Sequence, residues 1–166
     1  KKKLKVLGIS VLSLILVLII GVGMIFKGEI RTLISFKQLN EHPFYEMTYH
    51  ADYNLDEFLI NGAATDDELV SFVTKQILKG VSFDVNPDGA CSTFIATNLE
   101  DENLFGRNFD YVHSIGLIVR TQPKNGYKSI SLVNLNHLGL SLENMPTKNL
   151  INRIVTLAAP YAPLDG

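Results

Sequence analysis

From Val6 to Phe26 the chain carries no charged residue, and lysines close the run on both sides, Lys1, Lys2, Lys3 and Lys5 before it and Lys27 after it. A helix of about 21 residues, rising about 1.5 Å per residue, is about 31 Å long and matches the hydrocarbon core of a bilayer. A cleaved signal peptide is the competing reading, but its apolar region usually runs about 7–15 residues and ends in an A-x-A-like site. Gly21-Val22-Gly23-Met24 is a poor cleavage context, and a buried core helix fits the run least well. The expectation is an uncleaved signal-anchor embedded through residues 6–26, with a cleaved and secreted form as runner-up. The four-lysine cluster places the N-terminus in the cytoplasm, because basic residues favour that side, so the rest of the chain is expected to be exported.

Setting residues 1–27 aside changes the charge balance. That segment holds five lysines and no acid, so 10 basic side chains remain against 17 acidic ones, a balance of −7. An acidic ectodomain lacks the electrostatic footprint of a nucleic-acid binder. The single cysteine, Cys91, rules out an internal disulfide framework, even in a compartment that permits one. With one cysteine and four scattered histidines there is no zinc site of the CxxC or HExxH kind. Neither a metal nor a cofactor is expected.

Beyond the anchor, Glu29 to Glu41 reads as a helix continuing from it or a short stalk, broken at His42-Pro43. Phe44 to Tyr53 is rich in aromatics, an extended or docked segment in which Phe44, Tyr45, Tyr49 and Tyr53 pack a pro-segment onto its domain. Leu55 to Ile60 suits a short helix ending near Gly62. Thr65-Asp66-Asp67-Glu68 is a capping box rather than a metal site. The apolar residues Leu69, Phe72, Val73, Ile77 and Leu78 follow it at helical spacing, with Gly80 as the stop. Asn86-Pro87-Asp88-Gly89 is a turn leading to Ala90-Cys91.

After Cys91 the pattern becomes strand-like. Cys91–Thr97 and Asn103–Phe109 flank the polar Leu99-Glu100-Asp101-Glu102 as a hairpin, and Gly116–Thr121 and Tyr127–Leu135 read as two more strands. Asn125-Gly126 is the strongest turn signal in the chain. Thr147 is the expected cap of a helix running to about Ala159. A meander of four antiparallel strands and one helix makes a thin core, so a fragment of a longer protein is expected.

Cys91 has a bland reading, a small buried hydrophobe at a strand start. Against it stand the preceding glycine-bearing turn, Arg107 and Asp110 on the next strand, and export to a place where an idle thiol is a liability. A thiolate needs a nearby cation or base. His113 and His137 are the histidines a Cys-His pair would need; alternatively, a cut before Cys91 frees an α-amine, whose reference pKa near 8 lets it serve as the base.

Cys91-Ser92-Thr93-Phe94 followed by Leu104-Phe105-Gly106-Arg107-Asn108-Phe109-Asp110 resembles the choloylglycine hydrolase family of N-terminal nucleophile hydrolases. Bile salt hydrolases, penicillin V acylases and the acid ceramidase group belong to it. The resemblance is strongest over Cys91–Tyr111 and looser through Pro163-Leu164-Asp165-Gly166; in the family the arginine and aspartate lie sixteen and nineteen residues after the nucleophile, as here. It implies an α+β fold, the start of an αββα sandwich. The implied domains are an anchor over 1–27, a pro-segment over 28–90 and the first part of the hydrolase domain over 91–166. Cys91 is the implied nucleophile, Arg107 the residue that lowers its pKa and Asp110 the holder of the free amine, with Ala90–Cys91 the self-cleavage junction.

The implied reaction is hydrolysis of a linear amide, of N-acyl amide or conjugated bile-salt type, through a thioester. The family's oxyanion-hole asparagine would fall just after Gly166, so these 166 residues alone are expected to be inactive or barely active. The long lead before Cys91 resembles the branch whose precursor cuts itself. Two rivals stand beside this expectation: a membrane-tethered binding protein keeping the motif as a relic, and a Cys-His peptidase using His113 or His137. Tyr111 and His113, just past Asp110, are candidates for a pocket wall.

Overall fold

The computed structural model of the chain describes residues 2–85, 90–110 and 114–162, and of residues 2–6, 90, 91, 109 and 110 the backbone alone. The chain is a mixed α and β protein with a long apolar N-terminal helix. Helix α1 (Lys2–Ile25) contains Leu7–Ile25, 19 residues of mean hydropathy 2.7, none of it buried, long and apolar enough to cross a membrane. Only Phe26 separates it from α2 (Lys27–Ser35). The Phe26 amide donates to the Val22 carbonyl (3.0 Å) and the Ile30 amide to that of Phe26 (2.9 Å), so the hydrogen-bonding continues across the join.

Helix α2 ends at Ser35, short of the break expected at His42-Pro43. Phe36 takes extended dihedrals (φ −66, ψ 118) and stacks its buried ring on Tyr45, with centroids 4.8 Å apart. Burial of that ring ends the helix before proline can.

Strands β1 (Lys37–Gln38), β2 (Phe44–Thr48), β5 (Gly116–Thr121) and β6 (Ser129–Asn134) form a four-stranded sheet in the order β1-β2-β5-β6. Strands β3 (Ala90–Thr97) and β4 (Asn103–Asp110) form a separate two-stranded sheet. The expected four-strand antiparallel meander is therefore replaced by two sheets. The cause is β2, which runs parallel to β5 with Tyr45 opposite Leu117 and Met47 opposite Val119. All four side chains are buried, and Val133 of β6 extends the same inward face beside Leu117. Alternation of this kind fixes which face turns inward.

Tyr45, Tyr49 and Tyr53 all enter the core, as the aromatic run suggested. The Tyr49 hydroxyl donates to the Leu157 carbonyl (2.9 Å), and burial, more than any neighbouring charge, pushes its pKa up and keeps the phenol neutral. Thr32 Oγ1 ties α2 to the segment after β2 by accepting from the amides of His50 (2.8 Å) and Ala51 (3.3 Å). A Cβ on Gly28 would sit 2.7 Å from the Ala51 Cα, a backbone atom that has little room to yield. Gly28→Val is thus expected to lower stability by about 1–3 kcal/mol, read as a lower denaturant midpoint for the full chain in detergent micelles.

Helix α3 (Leu55–Asn61) closes at Gly62 (φ +67), as its sequence suggested. Helix α4 (Asp66–Phe72) begins at Thr65, whose hydroxyl accepts from the Glu68 amide (3.2 Å), while Glu68 accepts from the Ala64 amide (2.7 Å). A π-helical turn (Val73–Ile77) prolongs α4, and Lys79 (φ +51) and Gly80 (φ +96) end the run. Helix α5 (Leu150–Val155) is capped by Asn149, which accepts from the Asn152 amide (2.8 Å), so Thr147 is not the cap. The helical run past α5 is a 3-10 helix over Thr156–Tyr161. Asn125 and Gly126 lie in a turn, but in a connection spanning 122–128 rather than a two-residue hairpin loop, and neither has positive φ. Asn86-Pro87-Asp88-Gly89 falls outside the described residues.

Candidate active site

The residues singled out for chemistry lie on the β3–β4 hairpin. Its turn is held by Asn98, whose side-chain oxygen accepts from the amides of Glu100 (3.0 Å) and Glu102 (2.8 Å). Asp101 takes φ +65, a left-handed position that aspartate tolerates better than most residues. The side-chain amide of Asn98 donates to the Glu102 carboxylate (2.9 Å) and its backbone amide to the Glu102 carbonyl (3.0 Å). This Asx-type turn closes the hairpin and sets the register of both strands.

In that register Ala90 faces Asp110, Cys91 faces Phe109, Ser92 faces Asn108 and Thr93 faces Arg107. Asp110 is thus directly opposite the residue whose carbonyl opens the proposed scissile bond. Arg107 stands two positions along from the partner of Cys91, the diagonal relation that a long side chain can bridge in an antiparallel pair. Cys91 and Arg107 fall at positions of equal parity, and Asp110 at the opposite parity beside the Ala90–Cys91 peptide. Arg107 is half-buried. Arg107, sixteen residues on, is thus a diagonal neighbour of Cys91, and Asp110, nineteen residues on, the direct cross-strand neighbour of Ala90.

Gly106 belongs to the same construction. It pairs with Phe94, and a Cβ there would run into the Phe94 ring, which covers the glycine. No described residue of the hairpin enters the core shared by the four-stranded sheet and the helices. Phe94, Ile95 and Phe105 are exposed at 62, 78 and 61%.

Comparison with family models, with curated proteins and with solved structures finds no match to this chain. The site must therefore be weighed on its own residues.

His137 sits in the 3-10 turn (Leu135–Leu138) after β6 and is buried. It lines a cleft of about 260 Å³ with Asp66, Phe83, Val85 and Tyr161. His113 and Tyr111 lie outside the described residues, as does the Pro163–Gly166 stretch. Among the described residues no group of histidine, cysteine and acidic side chains is placed to hold a metal. Asp66, Asp67 and Glu68 occupy the first turn of α4, where acids favour the positive end of the helix dipole.

Two surface features had no counterpart in the sequence reading. An apolar groove of about 370 Å³ runs between α2 and α5, and an open cleft of about 700 Å³ lies at one end of the sheet, lined by His50, Arg120, Lys124 and Lys128. Their residues are scattered in sequence, which hides both.

Proposed function

We propose that the chain carries the nucleophile of a membrane-anchored hydrolase of linear amides, exported through α1 and activated by a cut before Cys91. The observation that carries it is the β3–β4 register, which puts Arg107 diagonal to Cys91 and Asp110 across from Ala90. Substrates of N-acyl amide or conjugated bile-salt type follow from the resemblance to choloylglycine hydrolases.

The self-cleavage begins with the Cys91 thiol adding to the Ala90 carbonyl. The Ala90–Cys91 C–N bond breaks as its nitrogen takes a proton, leaving a thioester that water hydrolyses. Residue 90 ends as a carboxylate, and Cys91 is left with a free amine and thiol. With a reference pKa near 8, that amine accepts the thiol proton near neutral pH. The thiolate attacks the substrate carbonyl, the departing amine takes the proton, and water clears the second thioester. Arg107 favours the thiolate by its charge, and Asp110 holds the ammonium form of the amine beside the cut bond.

The rate of iodoacetamide alkylation against pH tests the site in the full chain. Half-maximal alkylation of Cys91 is expected well below the ordinary thiol value of about 8.5, and Arg107→Ala is expected to move it back toward that value. An ordinary thiol in the unaltered protein, unmoved by Arg107→Ala, favours a binding protein that keeps the motif as a relic. Activity lost on replacing Cys91 and lost equally on replacing His113 and His137 favours a Cys-His peptidase, and amide hydrolysis that survives replacing both histidines removes it.

A further inference from the structure

Two unlike surfaces lie on different sides of α2, the helix that follows α1. On one side is the apolar groove, lined by Phe26, Ile30, Leu33, Leu150 and Ile154. Phe26 is the residue next to the end of the apolar span at Ile25, so the groove opens directly at the point where the chain leaves the bilayer. Of its lining, Ile30 (40%) and Leu150 (66%) are exposed, and Glu29 and Lys79 also line it. Exposed aliphatics of this kind on two facing helices are unusual for a surface that meets only water.

On the other side is the cleft holding His50, Arg120, Lys124 and Lys128, with no acidic residue in its lining. It is tied to the same helix. His50 and Ala51 bond through their amides to Thr32, and Ala51 packs against Gly28, three residues past the span. Residues 28–166 carry 10 basic side chains against 17 acidic ones, so three cations in one acid-free cleft run against the charge of the whole. Arg120 is partly engaged by Glu46 (3.9 Å), which Lys37 also binds (2.7 Å), and Asp52 joins Lys124 at the neighbouring shallow pocket. Lys124 and Lys128 are both exposed.

We propose that the domain docks through the two flanks of α2 on the bilayer that α1 enters, the α2–α5 groove taking acyl chains at the interface and the Lys124–Lys128 cleft taking anionic phospholipid headgroups. The proposal rests on α1 spanning that membrane. A surface that pairs apolar burial with basic residues matches the general requirements of interfacial binding, in which cations are drawn to an anionic surface within a Debye length. Continuity through Phe26 selects the bilayer over a soluble partner, because α1 holds the groove at the membrane whatever else is present. Docking would hold the exported domain down against the surface instead of leaving it to tumble on its tether.

The chain contains no tryptophan, so Leu150→Trp gives a single fluorophore on the groove rim. The full-length variant is reconstituted into vesicles of zwitterionic phospholipid alone or with phosphatidylglycerol, with and without brominated acyl chains, and its association is checked by flotation. Expected is a blue-shifted emission quenched by the brominated chains in the anionic vesicles. Adding Lys124→Glu and Lys128→Glu should cut the docked fraction about tenfold or more, and raised salt should weaken it in the same direction. Lys124→Gln with Lys128→Gln gives a smaller loss in the same sense and guards against a folding defect, which circular dichroism would register. A protein that floats but whose tryptophan emission is unquenched, or quenched equally after charge reversal, overturns the docking face and leaves the anchor standing. A protein that fails to float overturns both.

Discussion

Cys91→Ala is expected to yield one uncut species at the mass of the intact chain, and the unaltered protein two pieces divided at Ala90–Cys91. Any amide hydrolysis that the unaltered protein shows should fall to background, because the covalent nucleophile is gone. Intact-protein mass spectrometry and a turnover assay on a simple N-acyl amide read the two effects separately. Cys91→Ser keeps a nucleophile of higher pKa and should slow the cut rather than abolish it. Asp110→Asn makes the sharper distinction. Asp110 stands across from Ala90; in the proposed role as holder of the freed amine, its loss should damage turnover more than the first cut. An active preparation that stays uncut would remove the amine from the mechanism and with it the role given to Asp110.

The local elements were legible because each depends on a few neighbouring residues. The Thr65 cap, the positive-φ stops at Gly62 and Gly80, and the strands around Cys91, Arg107 and Gly116–Thr121 all sit close to where the sequence put them. Pairing was not legible. Strand β2 reaches β5 across 67 residues, and nothing local to Phe44–Thr48 announces a parallel partner. The helix after Ser141 shows the same limit on a smaller scale. Thr147 and Asn149 are both good caps, and the turn from Met145 to Lys148 decides between them by using Thr147 in its own hydrogen-bonded loop. For the candidate site, the spacing of Cys91, Arg107 and Asp110 was visible in the sequence. That it puts Arg107 diagonal to Cys91 and Asp110 opposite Ala90 depends on the Asn98 turn fixing the register.

The same long-range pairing has the second large consequence. Leu117 is fully buried in β5, with Tyr45 of β2 on one side and Val133 of β6 on the other. Leu117→Ala removes side-chain volume at the centre of that inward face, and a loss of about 2–5 kcal/mol in unfolding free energy is expected from denaturant titration. In a domain whose total stability is about 5–15 kcal/mol, a loss of that size is a large fraction. It bears on function through the cut. A break before Cys91 separates β2 from β5 in sequence while leaving their ladder intact, from Phe44 opposite Gly116 to Thr48 opposite Arg120. Tyr49 adds a cross-link, its hydroxyl bound to the Leu157 carbonyl on the far piece. The two pieces should therefore co-elute under native conditions and part only on denaturation. With Leu117→Ala the cut protein should release its N-terminal piece at lower denaturant than the cut protein without that substitution. Equal release midpoints for the two cut forms would mean that the β2–β5 pairing contributes little to holding the pieces together.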